Sequence, residues 1–184
     1  MNYIHSEKLV YWGLPRTGSR YVFGCLKDAY SFDYRHTHDV GCDPEYDDYS
    51  VVCSIRNPYF RALSVWKWVN MVGEDKFYPH SFPDFVRRVV PDHAGPITDE
   101  LGSLIERVDY FIRIEHCEKD LKKIPSFPEH FVFPSNTYQS SYSLSPKEYY
   151  ADRRVADRIW DIYRKDFETF GYVRDSYMGK DSDL

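Results

Sequence analysis

Residues 8–22 read KLVYWGLPRTGSRYV, and this stretch decides the fold that the chain is predicted to adopt. Residues 8–14 are a short apolar run, rich in aromatic side chains and bounded by Pro15, which is typical of a buried β-strand. From Ser19 to Tyr30, apolar residues recur every three or four positions, as on one face of an amphipathic helix. The stretch therefore predicts a strand, a loop and a helix in that order.

A second strand and helix follow along the chain. Residues 49–55 are a β-branched apolar strand, and the next helix is predicted to start with Asn57 as its cap and Pro58 at its first position. It is predicted to run to about Met71, because Gly73 suits its end. Further helices are expected at 82–90, near 98–107 and at 149–170, and a further strand at 110–114.

Strands that alternate with helices predict an α/β fold. We expect a three-layer architecture, in which helices flank a mainly parallel sheet. In sheets of this kind, ligands bind beyond the carboxyl ends of the strands. The loops that follow 8–14 and 49–55 are therefore the first places to look for a site.

Length and composition favour one domain spanning residues 1–184, with a frayed tail from 173. The chain has 184 residues, of which 42% are hydrophobic, and this is enough for one buried core. Its formal charge of -5 gives no general attraction to DNA, RNA or anionic lipid, although it is compatible with a local basic pocket. No signal peptide and no apolar run of about 18 residues is visible, so we expect a cytoplasmic protein without a membrane span.

The cysteines and aromatic residues indicate no metal or redox motif. Cys25, Cys42, Cys53 and Cys117 are scattered without a Cys-x-x-Cys pair, so we expect reduced thiols. Aromatic residues make up 18% of the chain, and this favours a core filled with large rings over a sugar-stacking surface.

The loop at 15–20 lies where anions commonly bind. Between a strand and its helix, backbone N–H groups and the helix dipole attract negative charge. Gly18 permits close backbone approach, Arg16 adds a fork-shaped cation, and Thr17 and Ser19 carry hydroxyl donors. The segment lacks the GxxxxGK[ST] spacing of nucleotide triphosphatases. By itself it fits a structural turn as well as an anion site.

Arg56 repeats this geometry, because it also lies between a buried strand and a capped helix. Two such sites suggest a ligand with two separated phosphates. Ser64 follows eight residues later, two helical turns on, so its hydroxyl reaches the same phosphate only if the helix folds back along the ligand. A buried core serine is the alternative interpretation.

Together these segments resemble the sulfotransferase superfamily. Residues 15–19, PRTGS, are similar to its 5'-phosphosulfate loop, and residues 56–64, RNPYFRALS, are similar to its 3'-phosphate motif. Residues 113–121 resemble its strand with an acidic E-x-x-x-x-D-L segment, and residues 163–172 resemble its closing Y-x-x-D-F-x-x-F-G-Y. The family loop more often carries lysine at the position of Arg16, although some carbohydrate branches use arginine.

The resemblance implies a P-loop-kinase-like sulfotransferase fold. It also implies 3'-phosphoadenosine 5'-phosphosulfate (PAPS) as the donor and adenosine 3',5'-bisphosphate (PAP) as the product. Arg61 matches an arginine inside the family motif for which a structural role is expected. By this resemblance the 5'-phosphosulfate is surrounded by Arg16, Thr17, Gly18, Ser19 and Arg20, and the 3'-phosphate is bound by Arg56 and Ser64.

Sulfuryl transfer needs a base beside the acceptor hydroxyl, and His38 and His36 are the candidates. Residues 34–38, YRHTH, lie between the two phosphate motifs and resemble the His-x-His of the uronyl 2-O-sulfotransferase branch. Alternation places both imidazoles on the same side of an extended segment. The alternatives are a surface pair of histidines, half of a metal site, or a carboxylate base at Asp39 or Asp43.

The expected reaction is in-line transfer to a hydroxyl, in which a histidine takes the proton while Arg16 and loop N–H groups neutralise the leaving 5'-phosphate. This scheme requires no metal. The acidity of the chain favours a small or neutral glycan as acceptor over a long polyanion. Two other functions fit: a nucleotide or small-molecule kinase, although the sequence at Gly18 lacks the lysine it needs, and a catalytically inactive nucleotide-binding module.

Overall fold

The computed structural model describes residues 2–30, 46–72, 81–88, 95–135 and 144–179. These residues belong to two compact units, each considered by itself below. The first unit comprises residues 1–56 and 101–139, and the second comprises residues 57–100 and 140–184. The expectation of one domain stays a prediction.

The first unit contains a four-stranded sheet within the described residues. The strands β1 (Asn2–Ile4), β2 (Leu9–Trp12), β3 (Ser50–Ile55) and β4 (Val108–Arg113) are adjacent in that order. β2 pairs with β3 and β3 pairs with β4 in parallel, whereas β1 is antiparallel to β2. The predicted α/β class with a mainly parallel sheet flanked by helices is therefore confirmed.

The helices of the first unit, in a numbering that follows the chain, are α1 (Ser19–Ala29) and the short α5 (Cys117–Leu121). α1 contributes Val22, Cys25 and Leu26 to the same core cluster as Tyr11 of β2 and Val52 of β3. Parallel strands typically form continuous apolar runs, and all four residues of β2 are buried. The first predicted strand and helix are confirmed.

β1 and its connection to β2 were not predicted. The connection is a single 3-10 turn at His5–Glu7, and Lys8 then adopts a left-handed conformation with φ of 50°. A strand of three residues is too short to show an alternation of apolar and polar positions. Only its pairing with β2 defines it.

The remaining helices begin in the second unit. They are α2 (Pro58–Val72), α3 (Phe82–Arg88), α4 (Ile97–Leu101), α6 (Pro146–Tyr149), α7 (Arg153–Ile162) and α8 (Arg164–Phe170). Throughout the described ranges, no helix combines the length and the apolarity needed to cross a membrane. α2 begins as predicted, because the side chain of Asn57 accepts a hydrogen bond from the backbone N–H of Tyr59 at 3.0 Å.

Aromatic rings fill the core of the second unit. Tyr59 is fully buried, and its ring centroid lies 4.9–5.0 Å from those of Tyr150, Phe167 and Tyr177. Tilted and edge-to-face rings at this spacing attract one another beyond the area they bury. For these residues the expectation of an aromatic core is confirmed.

Two predicted helices are divided. In place of one helix over 149–170, α7 begins at a new cap, where Asp152 accepts a hydrogen bond from the backbone N–H of Arg154 at 3.0 Å. The helix expected near 98–107 is α4 followed by a 3-10 helix at Gly102–Arg107, because Gly102 is left-handed with φ of 53°. Apolar periodicity indicated the buried faces but not these breaks.

The expected frayed tail from 173 instead begins with a packed turn at Ser176–Met178. Ser176 and Tyr177 are buried, and the Asn57 side-chain amide donates a hydrogen bond to the Ser176 hydroxyl at 2.8 Å. The Tyr59 hydroxyl donates to the backbone carbonyl of Arg174. Residues 180–184 lie outside the described residues.

Asp166, from the closing motif at 163–172, fixes the start of α4. Its carboxylate is 1% exposed and accepts hydrogen bonds at 2.8 Å from the N–H groups of Ile97 and Thr98 and from the Thr98 hydroxyl. Burial raises the pKa of Asp166, and these hydrogen bonds oppose the increase. The carboxylate therefore takes the role of a helix cap supplied from a distant part of the chain.

Replacing Asp166 with alanine is expected to lower the free energy of unfolding by about 2–4 kcal/mol, because three donors at the start of α4 lose their acceptor. Glu168→Ala is the matched control, because Glu168 is an exposed residue of α8, the helix that contains Asp166. It should change the free energy of unfolding by less than about 0.5 kcal/mol. Urea denaturation measures both changes. Equal losses in the two variants would show that Asp166 does not cap α4.

Candidate functional site

The loop after β2 contains two left-handed residues, Arg16 with φ of 64° and Gly18 with φ of 78°. A residue with a side chain pays about 1–2 kcal/mol for this conformation. Residues in this conformation cluster at ligand sites and switches, but they also occur in plain turns, as Lys8 does before β2. Backbone turns of this kind form concavities in which N–H groups bind anions. The predicted loop is thus a defined turn with an unusual conformation at Arg16.

α1 begins directly after this turn and has no side-chain cap. Gly18 occupies the cap position, and the first turn of the helix contains no acidic residue. The first N–H groups of a helix have no acceptor within it, and its N-terminus carries partial positive charge. Ser19 is half-buried and Arg20 is exposed at this end. The start of α1 is therefore chemically suited to a negatively charged group.

Three buried side chains, Tyr11, Thr17 and Ser54, hold the turn through a hydroxyl cluster. Thr17 Oγ1 donates a hydrogen bond to the Leu14 carbonyl at 2.8 Å and lies 2.7 Å from Ser54 Oγ. The Tyr11 hydroxyl donates to the Ser19 carbonyl at 3.1 Å, and burial raises the pKa of Tyr11 well above its ordinary value. Thr17 is fully buried, so its hydroxyl finds its partners inside the protein.

Gly18 also packs against Ile114, which follows β4. A Cβ atom at position 18 would lie 2.4 Å from Cγ1 of Ile114, closer than atoms can approach. Space and backbone conformation therefore both require glycine. Gly18 was expected to allow close approach of a ligand, and the contact with Ile114 is a second reason for glycine at this position.

Arg56 follows β3, the neighbour of β2 in the sheet. Its Nη1 donates a long hydrogen bond of 3.5 Å to the Arg16 carbonyl. Its Nε is buried and has no hydrogen-bond partner among the described residues. A buried N–H without an acceptor is costly, so a ligand oxygen at this position would be stabilising. Arg56, found separately in the sequence, therefore contacts the backbone of Arg16, and both residues follow the carboxyl ends of adjacent parallel strands.

Arg113, at the end of β4, is already neutralised by a carboxylate. Its Nε and Nη2 donate to the two oxygens of Asp120 at 2.9 and 3.0 Å, and Lys123 Nζ donates to the same carboxylate at 2.7 Å. Burial raises the pKa of Asp120, but the hydrogen bonds from Arg113 and Lys123 outweigh it and hold the pKa at about 2. The acidic segment at 113–121 therefore has a structural role within the described residues.

Arg61 and Ser64 lie on α2, in the second unit. Arg61 is 2% exposed and donates hydrogen bonds to the Gly95 carbonyl at 2.6 Å and to Glu100 at 3.2 Å. These contacts agree with the structural role expected for Arg61. Ser64 is 1% exposed, and its predicted contact with a 3'-phosphate stays a prediction.

The candidate bases cannot be placed in this site. His36, His38, Asp39 and Asp43 all lie outside the described residues, as does Cys42. The other cysteines, Cys25, Cys53 and Cys117, are buried free thiols.

Comparisons with protein-family models, with curated proteins and with solved structures find no match to this chain. The sulfotransferase resemblance therefore rests on the sequence motifs themselves.

Gly18→Ala is expected to lower the free energy of unfolding by about 2–4 kcal/mol, from the left-handed conformation and the clash with Ile114. Gly24→Ala is the matched control, because a Cβ at this position of α1 meets nothing within 4 Å. It should stabilise the protein by about 0.5–1 kcal/mol. Thermal or urea unfolding compares the two, and a tolerated Gly18→Ala would contradict the packing described.

The low pKa of Asp120 makes the stability of the protein depend on pH. Its ordinary pKa is 3.8 and its folded value is about 2, so its charged form stabilises the fold above pH 4. This contribution, about 2–3 kcal/mol, is lost as the pH falls from about 4 through 2. The difference in unfolding free energy between the wild type and Asp120→Asn should shrink by that amount over this range. A difference that stays constant with pH would refute the assignment.

Proposed function

We propose that this chain is a PAPS-dependent sulfotransferase with the P-loop-kinase-like sulfotransferase fold, and that its acceptor is a hydroxyl group on a small or neutral glycan. The observation that carries the proposal is the position of Arg16 beside Arg56, at the carboxyl ends of two neighbouring parallel strands. In sheets of this class that edge is the usual ligand site. The two arginines also occur in the order of the family's two phosphate motifs.

The turn at 15–18 and the start of α1 are assigned to the 5'-phosphosulfate of the donor. The left-handed turn and the uncapped helix N-terminus supply N–H donors, while Arg16 and Arg20 supply positive charge. Ser19 contributes its hydroxyl. The hydroxyl of Thr17 is already bonded within the hydroxyl cluster. Thr17 therefore contributes to PAPS binding through its backbone N–H and not through its side chain.

Arg56 is assigned to the 3'-phosphate. Its buried Nε lacks an acceptor among the described residues, and a phosphate oxygen would provide one. The residues present therefore fit a ligand with a second anionic group beside the first. The contribution of Ser64 rests on the resemblance alone.

In the proposed reaction the acceptor oxygen forms a bond to sulfur as the bond from sulfur to the 5'-phosphate oxygen breaks. The acceptor proton passes to His38 or His36, and PAP leaves. Arg16 and the N-terminus of α1 stabilise the charge that develops on the leaving phosphate. The two arginines and the helix dipole supply the positive charge, so the scheme needs no metal.

The test is the transfer of 35S from labelled PAPS to a panel of glycans and phenols. The wild type is expected to label a carbohydrate, and Arg16→Ala should lower kcat by about 10²-fold or more. Arg56→Ala should raise the KM for PAPS by about 10- to 100-fold, because a charge-assisted hydrogen bond is lost. Arg164→Ala, an exposed arginine paired with Asp161, controls for the loss of charge.

Full activity of Arg16→Ala would remove this residue from the mechanism. A wild type that binds PAP but labels no acceptor would instead be an inactive nucleotide-binding module, and phosphate transfer from ATP would indicate a kinase.

A further inference from the structure

A pocket lies in the second unit between α3 and the start of α7, and neither Arg16 nor Arg56 lines it. Its volume of about 150 Å³ is well below the roughly 300–1,000 Å³ of sites that enclose a drug-sized ligand, so it is sized for one charged group. None of its charged residues was singled out in the sequence. Its lining is formed by Pro83, Val86, Arg87, Asp152, Arg154, Val155 and Arg158.

The charges around this pocket are unevenly compensated. Arg154 pairs with Asp152 at 2.9 Å, and Arg87 pairs with Asp84 at 3.2 Å. In contrast, Arg158 forms no ion pair or hydrogen bond with any residue in the described part of the chain. The arrangement leaves at least one positive charge open at the pocket, in a chain whose net charge is -5.

Arg158 is the arginine of α7 whose charge has no partner among the described residues. Arg154 lies four residues before it on the same helix, where like charges repel each other. Asp152 caps α7 and pairs with Arg154, so the helix dipole and the charge of Arg154 already have a carboxylate beside them. A bound anion would offset the remaining charge, that of Arg158.

We propose that this pocket binds a tetrahedral oxyanion, the terminal group of a phosphate or sulfate ester. Arginines of two helices, α3 and α7, line the pocket. A tetrahedral oxyanion has enough oxygens to accept hydrogen bonds from more than one guanidinium group, whereas a carboxylate matches a single guanidinium group. Arg158 and Arg87 are its principal donors. Pro83, Val86 and Val155 contact the carbon-bearing side of the ester.

This proposal does not depend on the proposed function, because Arg16 and Arg56 belong to the other unit. Residue-resolved NMR separates the two sites in one experiment. Inorganic phosphate is titrated at constant ionic strength, and the amide resonances of Val86 and Val155 report on the pocket, while that of Gly18 reports on the loop after β2. Saturable shifts are expected at Val86 and Val155.

Arg158→Gln should weaken phosphate binding at these resonances about tenfold, the loss of one charge-assisted hydrogen bond. Arg158→Lys keeps the positive charge but lacks the planar guanidinium group, so it should weaken phosphate binding by an intermediate amount. Arg164→Gln removes the same charge from an exposed site outside the pocket and should change the affinity less than about twofold. An unchanged unfolding midpoint verifies that each variant is folded.

Sulfate should compete with phosphate, and acetate should not. Methyl phosphate and methyl sulfate, titrated in turn, identify the ester that the pocket takes, and binding of either supports the proposal. Equal weakening by Arg158→Gln and Arg164→Gln would reduce the effect to long-range charge and overturn it. The proposal also fails if no saturable shift occurs, if neither ester binds, or if acetate competes as well as sulfate.

Discussion

The parallel pairing of β2 with β3 is the constraint on which the candidate donor site depends. The register runs from Leu9 opposite Ser50 to Trp12 opposite Cys53, so both strands end at the same edge of the sheet. A one-residue shift would move every side chain of a strand to the opposite face. With this register, Arg56 reaches the carbonyl of Arg16. Two short motifs about forty residues apart in sequence are thereby brought into contact.

The turn at Arg16 keeps its left-handed conformation because its surroundings hold it in place. The hydroxyl cluster binds the turn from the protein interior, and Ile114 packs into the space that a side chain at Gly18 would occupy. Strained backbone of this kind persists only where neighbouring contacts determine it. At the end of β4, Asp120 neutralises Arg113, so that arginine does not add to the charge at this edge. Arg113 is thus bonded to an acceptor within the protein, whereas the buried Nε of Arg56 has no acceptor among the described residues.

Local patterns predicted the parts of the fold that local forces determine. The strands near 8–14 and 49–55 and the helix starts at Ser19 and Pro58 were visible because apolar runs, caps and periodicity are short-range signals. The contacts of Thr17 with Ser54 and of Gly18 with Ile114 join distant residues, and no pattern in a single sequence indicates them. β1 was too short to show a pattern. The pocket at Arg158 was missed because Arg87 comes from a different helix than Arg154 and Arg158, and the three form no sequence motif.

The central claim, that Arg16 and Arg56 together bind a nucleotide with separate 3'- and 5'-phosphates, is tested most directly by thermal-shift titration with PAP, AMP and ATP. A ligand that binds only the folded state stabilises it by about 2.7 kcal/mol at a hundred times its Kd. PAP is predicted to raise Tm progressively, and AMP and ATP at equal concentration are predicted to leave it nearly unchanged. Stabilisation by ATP or AMP equal to that by PAP, or no response to PAP, would contradict the claim.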